Sequence, residues 1–494
     1  MGYMNAQPAQ LSAQQATPES LPLQPTIFVI FGITGDLASR KLLPALLGLY
    51  VKKQLPKRFA VIGITRRTFT REEFRESIRS HMHVRPGQFK EEDIKHFLDH
   101  FSYEQGMFDD SVLYANLAKS IKTIDDRWGQ CSNKLFHLSV PPTLYEGILT
   151  NVAGSALNIP CADGSGWTRI LIEKPFGNDT KTAQSLDKLL GKLFDEEQIF
   201  RIDHYLAKES LQNILAFRFA NSMFEPLWHR QYIDKVHIKL FEKVTVEGRG
   251  QFYDGVGALK DVGQNHILAM LALIAMDEPK SFDVNAIRRE RARALDRLVP
   301  ISARTLPKFV TKGQYEGYNR EPGIPADSDT ETYFRIEAHI KSPRWKNVPF
   351  YLESGKAFAE AKTEIDVYFK SSSCKPGNAK AFHGDDPKCI EKQNVLTFRI
   401  QPDEGIKVRF FVKTPGYSLA TEPKMLKFRY ADTLAHPDAL GDYERLIHDA
   451  FIGDQSLFAS TDEIMASWKY VTPILEKWEE LPLKIYKKGV QEVE

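Results

Sequence analysis

The chain has few cysteines, no surplus of either charge and no long apolar run. Its 494 residues include four cysteines, Cys131, Cys161, Cys374 and Cys389, with no Cys-x-x-Cys pair. That spacing offers neither a zinc site nor a disulfide framework, and a reducing cytoplasm is the expected setting. Lys and Arg number 66 against 64 Asp and Glu, a formal net charge of +2. Such a balance makes no basic field, so no nucleic-acid partner is expected. No stretch approaches the roughly 20 apolar residues of a membrane-spanning helix, so no membrane partner is expected either. Residues 1–25 carry no Lys or Arg and are rich in Ala, Gln, Pro and Ser. They lack the basic start and apolar middle of a signal peptide and read as a disordered tail.

What is present suits two folded domains. The chain is too long for one compact core. An apolar share of 42% and a charged share of 26% are those of a globular protein.

Residues 26–31, Thr-Ile-Phe-Val-Ile-Phe, suit one buried strand. Gly32-Ile33-Thr34-Gly35 follows, and Leu42, Leu43, Leu46 and Leu49 then keep helical spacing. Strand, glycine turn and helix open a dinucleotide-binding fold. Gly32 lets the chain turn sharply, and Gly35 lets backbone approach a pyrophosphate resting on the helix N-terminus. The spacing is Gly-x-x-Gly, so the Gly-x-Gly-x-x-Gly fingerprint is incomplete, and a plain strand-to-helix loop would look alike. A second strand at 59–64 leads to Arg66 and Arg67 with no carboxylate. An acid there favours NAD and an Arg accommodates the 2′-phosphate of NADP, so NADP is the expected cofactor. Helices are predicted at 71–83, 91–100 and 111–125, and strands at 135–138 and 169–172. Their alternation implies a parallel sheet covered by helices. The last strand runs into Glu-Lys-Pro-Phe-Gly at 173–177. Lys174 then stands at a strand's carboxyl end, where such folds bind ligands, although a structural turn would read the same.

From about residue 200 the pattern changes. Strands with alternating faces are predicted at 233–242, 332–340, 365–369, 396–400 and 406–412, without regular crossovers. A long exposed loop is expected at 371–392. The fold class is therefore an N-terminal α/β, Rossmann-like domain over 26–200, then an α+β domain over 201–494 with a large, mostly antiparallel sheet plus helices.

The densest polar stretch is Arg-Ile-Asp-His-Tyr-Leu-Ala-Lys-Glu at 201–209. With a helix starting near Tyr205, His204 sits at its mouth and Lys208 one turn in. Two cationic donors and a phenol then surround free N–H groups, an arrangement that attracts phosphate. A solvated charge cluster is the plain alternative. Asp-Val-Gly-Gln-Asn-His-Ile-Leu at 261–268 opens an apolar helix running to about 276. A histidine at a helix start in a cleft can act as general base near neutral pH. A lone histidine is more often structural, and Asp203 is the carboxylate that would orient His266 for catalysis. Glu242 and Arg249, with Gly248 and Gly250, form a further polar loop. Lys356 follows a strand-like segment, in reach of a sugar hydroxyl or a phosphate.

Six motifs occur in order: Phe-Gly-Ile-Thr-Gly-Asp-Leu-Ala at 31–38, Glu-Lys-Pro-Phe-Gly at 173–177, Arg-Ile-Asp-His-Tyr-Leu-x-Lys-Glu at 201–209, Glu-Gly-Arg-Gly at 247–250, Gln-Asn-His at 264–266 and Gly-Lys-Ala at 355–357. The set resembles the glucose-6-phosphate dehydrogenases. The resemblance implies His266 as the base for the C1 hydroxyl and Asp203 as its partner. It implies His204, Tyr205 and Lys208 as the grip on the 6-phosphate. Lys174 would lie between substrate and cofactor. Glu242, Asp261 and Lys356 would bind sugar hydroxyls, with Gln401 a further substrate contact. Gly32, Thr34, Gly35, Asp36 and Leu37 would line the cofactor turn, with Arg66 at the 2′-phosphate; no metal is implied. A homodimer or homotetramer through the sheet domain is also implied. Ala207 departs from the family's glycine, a small change expected to preserve activity. Gly263 stands in place of a methionine and is expected to loosen its helix start. Ala361 replaces an arginine near the substrate. Glu353 and Asp366 stand where animal members carry arginines of a second NADP site, which is therefore expected to be absent. Another two-domain sugar oxidoreductase would need the usual fingerprint and no phosphate cluster. A non-catalytic subunit would have lost the base or the phosphate grip.

Overall fold

The computed structural model describes residues 24–162, 164–371, 393–417, 419–432 and 440–493. The tail and the 371–392 loop therefore lie almost wholly outside the described residues. The chain forms two compact units. One takes the chain through Ile172 with Leu193–Ile199 and Tyr443–Asp454; the other takes Glu173–Lys192, Phe200–Asp442 and the residues from Gln455. No single cut at 200/201 separates them, because packing groups segments regardless of chain order.

The first unit holds β1 (Thr26–Phe31), β2 (Phe59–Thr65), β3 (Phe101–Gln105), β4 (Asn133–Leu138) and β5 (Thr168–Glu173). They lie side by side in the order β5-β4-β1-β2-β3, all parallel. Every residue of β1 and β4 is buried, as continuous apolar strands in a covered parallel sheet should be. The 111–125 helix prediction is realised as Ser111–Trp128. Asp110 caps its start by accepting the Val112 N–H, and Gly129 at φ +70° ends it. The short strand β3 went unpredicted, since its Phe-Ser-Tyr-Glu-Gln has little apolar signal.

Cys131 and Cys161 form a disulfide across 30 residues, with Cα atoms 6.2 Å apart. This corrects the expectation of no disulfide. The two cysteines precede β4 and β5, and parallel pairing of those strands brings their starts together.

The second unit holds β6 (Ile199–Ile202, mostly), β7 (Ile233–Phe241), β8 (Val310–Tyr315), β9 (Tyr333–Ala338), β10 (Phe350–Gly355), β11 (Lys362–Phe369), β12 (Val395–Gln401), β13 (Gly405–Lys413), β14 (Thr421–Arg429), β15 (Phe458–Ala459) and β16 (Leu483–Tyr486). Nine of them make one sheet, β14-β13-β12-β11-β7-β10-β9-β8-β16. Only β7–β10 and β8–β16 pair in parallel, so the sheet is mostly antiparallel, as expected. A helix with wide π-type turns, Leu259–Ile267, continues as the α-helix Leu268–Ala275. Gly263 lies in the middle of the wide-turned segment. A side chain there would meet Leu259 and the ring of Phe334 on β9 at under 3 Å, so the glycine is what lets the helix pack closely.

Candidate active site

The stretch 201–209 does not start a helix at Tyr205. Asp203 turns the chain instead: its carboxylate accepts the Tyr205 N–H at 3.0 Å and its carbonyl the Leu206 N–H at 3.0 Å. The helix is Glu209–Phe219, with Lys208 as its N-cap in extended conformation. Side-chain competition of this kind delays helices after Asp. Ala207 therefore sits in the turn, not on the helix. It is buried without positive φ, so its methyl costs no backbone strain.

β6 delivers Asp203, and the wide-turned helix delivers His266. The His266 Nδ1 lies 2.6 Å from Asp203 Oδ1, both side chains nearly inaccessible. An ionised carboxylate only accepts, so Nδ1 carries the proton and Nε2 keeps its lone pair. Tyr205 stacks on the imidazole at 4.1 Å, and the His204 ring meets it edge-on at 4.8 Å. The Asn265 amide oxygen takes the His266 N–H, and Gln264 is tied to Ser467. The ring is thus fixed on several sides.

Burial lowers the pKa of His266, and the Asp203 charge offsets only part of that. Burial pushes the Asp203 carboxyl up, but His266 outweighs it and the group settles near 2. Neutral imidazole beside ionised carboxylate is the state of a general base. His204 is pulled down to about 3, first by burial and then by His266. It is therefore a neutral hydrogen-bonding ring, not the second cation that the sequence suggested.

A cavity of about 620 Å³ opens onto His266. Lys174, His204, Tyr205, Glu242, Asp261 and Lys356 line it. Lys174 Nζ donates to the Asp261 carbonyl at 2.7 Å and to its carboxylate at 3.2 Å. The Lys174–Pro175 peptide is cis. Lys356 Nζ donates to Glu242 at 2.5 Å. Burial raises the Asp261 pKa, but Lys174 and then Lys356 bring it below the usual value. Gln401 reaches the cluster by donating to the Tyr205 hydroxyl at 3.2 Å. Lys208 Nζ is held by Asp442 at 3.0 Å. Three of the lysines are thus paired with carboxylates, and a phosphate would compete with Asp442 for Lys208. Sequence reasoning missed Asp442 and the exposed Phe252, which also lines the cavity. Asp442 is 234 residues from its partner, and neither residue carries a local signal.

The cofactor turn belongs to the first unit. β1 is flanked by β2 and β4, with Phe31 in register with Leu138. Strand order reverses there, the point at which open α/β sheets bind ligands. Gly32 has φ +77°, and a Cβ on it would lie 2.5 Å from the Ser139 carbonyl oxygen. The Gly35 N–H donates to Gly32 at 2.9 Å, closing the turn ahead of the helical residues from Ala38. Thr34 and Leu37 are half-buried, whereas Asp36 is exposed and paired with Arg40 at 2.5 Å. Arg66 is exposed just past the end of β2. A tight glycine turn at a switch point, with an exposed guanidinium after the second strand, fits a dinucleotide phosphate.

Comparison with known proteins agrees with this geometry. The family profile described as glucose-6-phosphate dehydrogenase, NAD binding domain, matches residues 29–213, and that of the C-terminal domain matches residues 215–494. The chain is 38% identical over 476 residues to glucose-6-phosphate 1-dehydrogenase of Chlamydia pneumoniae, covering 94% of this chain and 91% of that protein. It is 40% identical over 458 residues to that of Aggregatibacter actinomycetemcomitans, covering 90% of each. A solved glucose-6-phosphate dehydrogenase in complex with its substrate glucose-6-phosphate superposes with a TM-score of 0.86 at 33% identity, over 94% of this chain and 95% of that one. With a buried carboxylate–imidazole pair over a lysine-lined cavity and matches along nearly its whole length, the chain belongs to the glucose-6-phosphate dehydrogenase family.

Proposed function

We propose that the protein oxidises D-glucose 6-phosphate at C1 to 6-phospho-D-glucono-1,5-lactone with NADP+, the first oxidative step of the pentose phosphate pathway. The buried Asp203–His266 pair facing a cavity with Lys174 and Lys356 carries the reading. His266 Nε2 accepts the C1 hydroxyl proton as the C1–O bond gains double-bond character. Asp203 steadies the imidazolium through Nδ1–H. NADP+, when bound, would supply the hydride acceptor for C1. Glu242, Asp261 and Lys356 orient the hydroxyls, with Gln401 steadying Tyr205. His204, Tyr205 and Lys208 hold the 6-phosphate, whose binding energy positions the distant carbon. Gly32, Thr34, Gly35, Asp36, Leu37 and Arg66 would hold the cofactor, with Lys174 serving both ligands. In this reading residues 26–200 serve the dinucleotide and 201–494 the sugar phosphate and dimerisation.

A homodimer is proposed through the β14 side of the large sheet. β14 ends the sheet, and Met425, Leu426 and Phe428 are exposed on it. An uncovered edge with apolar side chains invites pairing. Light scattering on the purified protein is the check. A cytoplasmic setting is proposed from the phosphorylated substrate and NADP. The Cys131–Cys161 disulfide speaks for a less reducing one, and thiol labelling in cells would decide.

The decisive experiment follows NADPH formation with glucose 6-phosphate and with glucose, for the wild type and His266→Asn. Fast turnover of the phosphate sugar alone, collapsing in the variant, is expected. A wild type that binds NADP but ignores glucose 6-phosphate would overturn the substrate assignment.

A further inference from the structure

Resting on the proposed reaction, we infer that Glu331 is a positioning residue for His266, holding the start of the helix that carries both Asp261 and the base. Glu331 lies just before β9, outside the substrate cavity and 4% exposed. Its carboxylate Oε1 accepts the N–H of Leu259, the first residue of that helix, at 3.1 Å. Its Oε2 accepts the Trp478 indole N–H at 3.1 Å. Its backbone carbonyl accepts the Ala258 N–H and the Tyr253 hydroxyl, both at 3.2 Å. One residue from another segment thus satisfies two consecutive N–H groups at a helix start, which the helix cannot satisfy itself. A negative charge at that end also suits the helix dipole.

The fit is close. Gly257 has φ +72°, and a Cβ there would lie 2.3 to 2.4 Å from the Glu331 carboxyl atoms. The glycine leaves the space that the carboxylate fills. Asp261 and His266 follow within two turns, so a shift of the anchor moves both the base and a proposed hydroxyl ligand.

The carboxylate is also titratable in the working range. Burial pushes its pKa up to about 7, and the bonds from Leu259 and Trp478 pull against that. Around it stand Lys260 on the anchored helix and Tyr253 from the preceding turn with Tyr486 near it. The ionised form accepts from both donors at full strength. The protonated form weakens one of them. The anchor therefore tightens as pH rises through neutrality.

The test compares wild type, Glu331→Gln and Trp478→Phe in the full-length protein. Wild-type kcat should rise through a neutral ionisation. In Glu331→Gln that limb should vanish, with kcat about tenfold lower at high pH, the scale of a small misplacement of a catalytic group. NADP affinity should be unchanged. In Trp478→Phe the limb should persist but move to higher pH, since the ionised carboxylate loses a donor. Hydrogen exchange at amides 259–267 gives a readout free of turnover, and faster exchange is expected in Glu331→Gln. Equal loss of activity at all pH values with unchanged exchange would overturn the inference. If the wild type ignores glucose 6-phosphate, the reaction falls, while exchange still judges the anchor.

Discussion

Two histidine–carboxylate pairs in the second unit share the same 2.6 Å contact, and the site geometry supports a catalytic role for only one. His266 bonds Asp203 through Nδ1, whereas His237 bonds Glu353 through Nε2. Nε2 is the outer ring nitrogen, the one with reach toward a bound molecule. In His266 it remains available for a proton; in His237 the carboxylate has taken it. The surroundings differ in the same sense. His237 and Glu353 sit on adjacent parallel strands, β7 and β10, and Glu353 also accepts the Tyr333 hydroxyl at 2.7 Å. Beside them Asp366 takes Lys239 at 2.9 Å and Thr397 at 2.6 Å. Burial lowers the His237 pKa just as it does that of His266. A perturbed pKa and a short contact therefore do not make a base. Which nitrogen the carboxylate holds, and whether the other faces a substrate cavity, does.

The largest expected effect breaks the comparison outright. His266→Asn should lower kcat by about 10²–10⁴, the usual worth of a general base, whereas His237→Asn should leave it within about twofold. Steady-state rates on the two variants are the check, and comparable losses would show that the nitrogen argument fails. Next in size is the phosphate grip. Lys208→Ala should raise KM for glucose 6-phosphate by about tenfold or more with kcat less affected, because a charged hydrogen bond to the phosphate is lost. The smallest effect is a displaced pH limb. In the proposed reaction the neutral form of His266 is the active one, and burial lowers its pKa. The rate should fall as pH drops through the lowered imidazole pKa. In Asp203→Asn the residual rate should keep its acid limb at still lower pH, since the charge that raises the imidazole pKa is gone. His237→Asn should leave both limbs where they are.

Much of the fold was legible because its signals are local. β1 and its glycine turn follow from a run of branched and aromatic residues and one forced positive φ. The alternation through β5 predicted the parallel sheet. Elements with mixed composition, such as β3 and the exposed β14, carried no such signal. The Cys131–Cys161 bridge was invisible for a related reason: thirty residues separate the partners, and only strand pairing joins them. Glu353 and Asp366 read as acids that would repel a second NADP. In the structure they are partners of His237, Tyr333, Lys239 and Thr397. A titration finding two NADP molecules per subunit would contradict the expected absence of that site.

Sequence by itself determined the residue types. It supplied a histidine proposed as the base, a carboxylate to orient it, lysines suited to a phosphate sugar and a glycine turn suited to a dinucleotide, each in a recognisable local motif. Tertiary structure decided their states. Asp203 and His266 are 63 residues apart, and only their meeting, buried, makes one an anion and the other a neutral imidazole. His204 lost its charge to the same burial. Lys208 gained Asp442, and the helix bearing His266 gained Glu331, across distances that no spacing encodes. Charge and proton affinity depend on what surrounds a group and how little water reaches it, and the chain supplies both only once it has folded.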